Sequence, residues 1–214
     1  IPRLILCGVF GVGVNQLLFF NGLSRTSPLN AALIITAIPI IVLIASAILL
    51  KSKVTSRKAI GVTLGALGAV FLVFLGQGEG GTSNSSWVGD LFVLINATSY
   101  SIYLVIVKPL MAHYKPITVI TWAFLVGWCI VTPFGLNQFL AVEWSDFLAR
   151  DFYAFFFVVV IATFLAYLLN IFALKHLPPT TVSVYIYLQP LLVIVFTFLF
   201  FYLGFNDFRV DLTW

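Results

Sequence analysis

Charge is what this chain has least of. Eleven Lys and Arg and seven Asp and Glu make up 8% of its 214 residues, where a soluble domain carries roughly 25%. The shortage excludes a nucleic-acid surface, because the net charge of +4 comes from dispersed basic residues rather than a patch. Histidine occurs twice, at His113 and His176, and both lie between apolar runs. Cysteine also occurs twice, as Cys7 and Cys129, each inside an apolar run. No disulfide framework and no metal-ligand spacing follow from two such residues, so neither metal nor cofactor is expected. Acidic residues are absent from the middle of every hydrophobic segment. Intramembrane charges mark ion pathways and proton relays, and none is visible here.

Hydrophobic residues fill the space that charge leaves. They form 62% of the sequence, and the mean hydropathy is +1.13. That composition belongs to an integral membrane protein. A spanning helix takes about 20 mostly apolar residues, and seven segments qualify: 4–23, 29–50, 59–76, 88–110, 117–136, 152–174 and 180–203. The expectation is an all-α, polytopic transmembrane bundle. The turns Ser24–Pro28 and His176–Pro179 are too short for anything but antiparallel hairpins. Each places a proline where the first helical residue stands, a position that tolerates a missing N–H.

Those two hairpins resemble each other. Gly22–Leu50 aligns without gaps with Ala173–Phe201 at an offset of 151 residues. Leu23 meets Leu174, Pro28 meets Pro179, Pro39 meets Pro190 and Val42 meets Val193. Two prolines eleven residues apart, repeated at one offset, indicate an internal duplication.

Loop charges give the duplication a direction. Taking the boundaries alternately, one side holds Arg3, Lys51, Lys53, Arg57, Lys58, Lys108, Lys115 and Lys175, and the other holds Arg25, Arg150 and Arg209. Eight against three assigns the first side, with loops 51–58, 108–115 and 175–176, to the cytoplasm of a plasma or inner membrane. The loop 77–87 is then external, flexible by composition, and carries the sequon-like Asn84-Ser85-Ser86. The Pro39 and Pro190 helices are five apart in order, so they run in opposite directions across the bilayer. Inverted repeats of this kind occur in many secondary transporters. Repeat one would end with three helices in 1–77 and repeat two begin with four in 88–214. The ends, IPRLILCGVF and DLTW, fit a longer protein of ten helices in two sets of five, seven of them visible here.

A short loop, a helix with a central proline, a basic loop ending in Thr55 and then Gly61-Val-Thr-Leu-Gly-Ala-Leu-Gly68 resemble the EamA-type branch of the drug/metabolite transporter superfamily. The resemblance implies inverted five-helix repeats and movement of small metabolites, often amino acids. The Gly-Glu pair usual after the central-proline helix is absent: Leu50-Lys51-Ser52-Lys53 and Leu203-Gly204-Phe205-Asn206 stand there instead.

Uncharged polar residues form stripes. Asn96, Tyr100 and Tyr103 share one helical face, as do Thr163, Tyr167 and Asn170. Thr181, Tyr185 and Gln189 form a third stripe, with Ser183 and Tyr187 beside it. Gln16 and Phe19 align by the duplication with Tyr167 and Asn170, and Asn15, Thr121 and Trp122 are further candidates. These faces are expected to line a cavity for a polar or zwitterionic metabolite, and the competing reading is interhelical hydrogen bonding. Pro39 and Pro190 each free a carbonyl four residues earlier and form hinges near the midplane. Tyr114, Tyr153, Trp87 and Trp144 read as interfacial anchors. Gly61, Gly65 and Gly68 read as helix packing, with a homodimer seam as the lesser reading. The sequence therefore points to a secondary-active transporter, with export favoured, whose partners are a small-molecule substrate and the lipid bilayer. A seven-helix receptor and an intramembrane enzyme are the alternatives.

Overall fold

The computed structural model describes residues 2–75 and 86–203. Asn84 and Ser85 of the sequon and most of the 77–87 loop, together with the segment after Leu203, lie outside the described residues. Everything regular among the described residues is helical, so the protein is an all-α polytopic bundle. Six helices are long and apolar enough to span a membrane: α1 Pro2–Leu23, α2 Pro28–Leu49, α4 Trp87–Leu110, α5 Pro116–Leu140, α6 Ala149–His176 and α7 Pro179–Phe200. The remaining expected segment, 59–76, coincides with α3, Ser56–Leu75.

Local chemistry sets the helix ends. Pro28, Pro116 and Pro179 open their helices in the first turn, where the missing donor is harmless. The Ser27 hydroxyl accepts from the Asn30 amide at 3.1 Å, satisfying one free N–H of the α2 entry. The Ser86 hydroxyl does the same for Val88 at 3.3 Å. Lys51 ends α2 at a φ of 51°, the left-handed turn that stops a helix.

Helix α4 is the axis of the bundle, packing against α1, α2 and α6. Val93, Ala97, Tyr103, Leu104, Val105 and Val107 of this helix are fully buried, with Cys7, Val42, Val119, Ile120, Ile171 and Leu174 around them. By contrast the faces of α5, α6 and α7 expose large apolar residues such as Trp128, Phe155 and Val193. In water that surface would be a liability, whereas lipid tails are as apolar as these side chains. Trp87, Tyr114, Trp144 and Tyr153 are exposed.

The two aligned hairpins share their irregularities. Residues Val9–Gly13 of α1 form a π-helical segment. The same stretch 151 residues on falls inside the π-helical segment Phe157–Leu165 of α6. Helix α2 breaks at a turn over Thr36 and Ala37, just before Pro39. Helix α7 tightens to 3-10 geometry over Tyr185–Leu188, just before Pro190. Each proline removes one rung of the ladder, and in both copies the helix adjusts in the turn ahead of it. The first half of α7 also packs directly on α2.

One end of the bundle is tied by polar contacts. Asp90, in the first turn of α4, accepts from the Thr26 hydroxyl and from Asn30 Nδ2 at 3.4 Å. Gly89 lets this turn meet the α1–α2 loop, since a Cβ there would lie 2.6 Å from the Arg25 carbonyl carbon. At the other end Lys108 Nζ donates to the Leu174 carbonyl at 2.9 Å, closing the last turn of α6 with a cation.

Candidate functional site

The site begins with backbone carbonyls. A π-helical insertion disturbs the regular ladder, and the carbonyls of this part of α1 take donors from other helices. Ser99 Oγ donates to the Phe10 carbonyl at 2.7 Å. Tyr167 Oη donates to the Gly11 carbonyl at 2.9 Å. Asn96 Nδ2 donates to the Asn15 carbonyl at 2.8 Å. Helices α4 and α6 are thereby fastened to the same stretch of α1. Gly11 is needed for this approach, because a Cβ would sit 2.4 Å from the Tyr103 ring.

Around that anchor lies a cluster of aromatic and amide groups. The Tyr103 ring is 5.9 Å from that of Tyr100 and 6.2 Å from that of Tyr167. Phe124 packs edge-on to Tyr167 at 5.4 Å and to Phe164 at 6.3 Å. Asn170 Nδ2 donates to Tyr100 Oη at 2.9 Å. Two buried polar atoms in the cluster make no hydrogen bond within the protein: Tyr103 Oη and Asn170 Oδ1. Tyr103 is 1% exposed, so its hydroxyl meets no bulk solvent. A buried polar group without a partner is destabilising by about 1–3 kcal/mol, and both atoms keep hydrogen-bonding capacity that the protein does not use. The cluster is uncharged, so what it can do chemically is hydrogen-bond and stack.

The structure brings together five of the residues that the sequence nominates: Asn96, Tyr100, Tyr103, Tyr167 and Asn170. It does not bring in the other three. Gln16 is half-buried on α1 and takes no part in these contacts; Asn15 beside it does, since its Oδ1 accepts from Tyr167 at 3.5 Å. Tyr185 and Gln189 are exposed, whereas Ser183 and Tyr187 turn inward. Thr181 is exposed with them, so the stripe keeps one face and that face looks outward. Tyr187 instead packs onto Gly65 of α3, where a Cβ would lie 2.3 Å from its ring. Gly61 and Gly68 face open space. Pro39 is buried and Pro190 half-buried. Thr121 bonds to its own helix at the Ile117 carbonyl, 2.8 Å, and Trp122 is exposed. The residues that sequence reasoning left out are Gly11, Phe124 and Ser99. Their signal was a contact across helices, which single-helix periodicity does not carry.

A polytopic bundle with an uncharged polar cluster in its centre has the architecture of a membrane transport protein. The sequence profile of the EamA-like transporter family matches residues 1–74 and 87–206, so the chain belongs to that family. An uncharacterized transporter of Archaeoglobus fulgidus is 27% identical over 196 residues, covering 92% of this chain and 66% of the relative. The uncharacterized transporter YyaM of Bacillus subtilis is 24% identical over 194 residues, covering 91% of this chain and 64% of the relative. A protein of Streptantibioticus cattleyicolor named "Probable terminal-alkyne amino-acid exporter" is 27% identical over 133 residues, 62% of this chain and 43% of the relative. A solved crystal structure shares the fold with a TM-score of 0.72 at 18% identity, covering 96% of this chain and 68% of the other. The chain thus spans about two thirds or less of the length of these curated relatives.

Proposed function

We propose that the chain is the larger part of a secondary-active transporter that moves small metabolites, such as amino acids, by alternating access, with export as its direction. The observation that carries this reading is the pair of buried polar atoms, Tyr103 Oη and Asn170 Oδ1, left without protein partners where α1, α4 and α6 meet. A tyrosine hydroxyl both donates and accepts, and an amide oxygen accepts. Together they suit the amine or hydroxyl of a small polar solute, with the Tyr100, Tyr167 and Phe124 rings against its apolar part. Family membership supports transport, and the name of the Streptantibioticus relative supports amino acids and export.

On this reading the two hairpins are halves of inverted repeats, divided between 1–77 and 88–214, in a plasma or inner membrane with the basic loops inside. Pro39 and Pro190 are the hinges on which one repeat rocks against the other. Gln16, Tyr185 and Gln189 lie off the resting cluster and belong to the path the solute takes as the repeats move. A homodimer along α3 is compatible with the open faces of Gly61 and Gly68. The receptor and enzyme readings gain no observation of their own.

The test is flux through the full-length protein in proteoliposomes loaded with a labelled amino-acid mixture. Asn170→Leu and Gln189→Ala are expected to lower flux while the protein still folds and reconstitutes. Wild-type flux from both overturns the assignment of the site.

A further inference from the structure

A cavity lies away from the aromatic cluster, at the end of the bundle where the basic loops gather. It is open, about 340 Å³ in volume, and sits between the first turns of α3 and α7. Arg57, Lys58, Gly61 and Val62 form one wall and Thr180, Thr181, Val184 and Tyr185 the other, so polar groups edge a largely apolar hollow. Among the described residues neither cation has an ion-pair partner; the pair found there joins Arg150 and Asp151. Two unpaired cations, two hydroxyls and a phenol lining one concavity select an anion with several acceptor oxygens. The outer surface of α3 just beyond the cavity is apolar, with Ile60 59% and Leu64 63% exposed. Anion below and hydrocarbon above is the pattern of a lipid.

We propose that this cavity holds the phosphate-bearing headgroup of an anionic lipid, wedged between α3 and α7. Basic pockets between membrane helices on the cytoplasmic side take such headgroups, and that leaflet carries the anionic lipids. The volume is at the small end of ligand sites, which run roughly 300–1,000 Å³, and fits a phosphate with a compact headgroup. The proposal takes from the transport reading only its orientation, with the basic loops inside. The cavity shares Tyr185 with the proposed solute path and Gly61 with the proposed dimer face, but none of its residues belongs to the aromatic cluster, and a transporter without this lipid is still a transporter.

Gly61 supplies a clean test. A Cβ built there meets nothing within 4 Å, so Gly61→Leu fills the cavity without moving the backbone and leaves both cations in place. The full chain is purified in an uncharged detergent and offered equal amounts of phosphatidylglycerol and phosphatidylcholine, and bound lipid is read by native mass spectrometry. Wild type is expected to retain phosphatidylglycerol selectively. Each membrane-facing cation contributes about fivefold, so Arg57→Gln with Lys58→Gln is expected to lower retention roughly 25-fold. Gly61→Leu is expected to lose the lipid while melting as wild type does. Retention unchanged in Gly61→Leu overturns the proposal, and so does equal retention of phosphatidylcholine. Displacement of the lipid by inorganic phosphate at an equal concentration also overturns it, since the site would then serve a free anion.

Discussion

Removing one oxygen atom from Tyr103 separates the two uses a buried hydroxyl can have. The ring of Tyr103 packs between those of Tyr100 and Tyr167, and Tyr103→Phe keeps that packing. The hydroxyl it deletes has no protein partner. Taking away an unpaired buried hydroxyl relieves a desolvation penalty of about 1–3 kcal/mol. For a chain of this size each kcal/mol moves the melting temperature by roughly 2–4 °C. The variant is therefore expected to melt higher than wild type by several degrees, read by tryptophan fluorescence in detergent. Tyr167→Phe is the matched control, because its hydroxyl donates to the Gly11 carbonyl at 2.9 Å. Losing that bond leaves a buried carbonyl short of a donor, so this variant is expected to melt lower by a similar amount. Transport takes the opposite sign for Tyr103. If its hydroxyl binds the solute, Tyr103→Phe forfeits a hydrogen bond of about 0.5–1.5 kcal/mol, or roughly two- to tenfold in apparent affinity. A stabilised protein that binds its solute less well is the signature of a group held ready for a ligand. A lower melting temperature, or unchanged transport, refutes the reasoning.

Gly89→Ala forces a Cβ to within 2.6 Å of the Arg25 backbone; overpacking of this kind destabilises by about 1–3 kcal/mol, measurable as a lower melting temperature. Lys108→Met removes the cation from the Leu174 and Lys175 carbonyls. It is expected to destabilise by about 1 kcal/mol, and Lys108→Arg is expected to restore the melting temperature. Pro39→Ala and Pro190→Ala return a backbone donor just after the turn at Thr36–Ala37 and the 3-10 segment Tyr185–Leu188. Both are expected to slow turnover in proteoliposomes, and wild-type turnover would remove the hinge role.

The architecture was legible because membrane helices announce themselves by length and apolarity. The 29–50 expectation and the observed Pro28–Leu49 differ by a residue at each end. The site was legible only in part. Tyr100 with Tyr103, and Tyr167 with Asn170, share faces because α4 and the last part of α6 are regular α-helix where those residues stand. Tyr185 and Gln189 do share a face with Thr181, but that face looks outward; periodicity says which residues lie together, not which way they point. Gln16 was nominated by its alignment with Tyr167 in the duplication, and the likeness of sequence does not extend to contacts: the Tyr167 hydroxyl reaches the Gly11 carbonyl, whereas Gln16 is half-buried and takes no part in the cluster.

The π segments have a consequence for history. An extra residue in a helix is an event, not a tendency, and here it lies at matching places in α1 and α6. If the two halves are repeats, as proposed above, the economical account is that it happened once, in a half-length ancestor. On the proposed inverted arrangement, the carbonyls of one subunit of that ancestor would have faced the polar side chains of another. The contact now made by Tyr167 with Gly11 would then descend from an intermolecular bond. The centre of the molecule would be older than its covalent continuity.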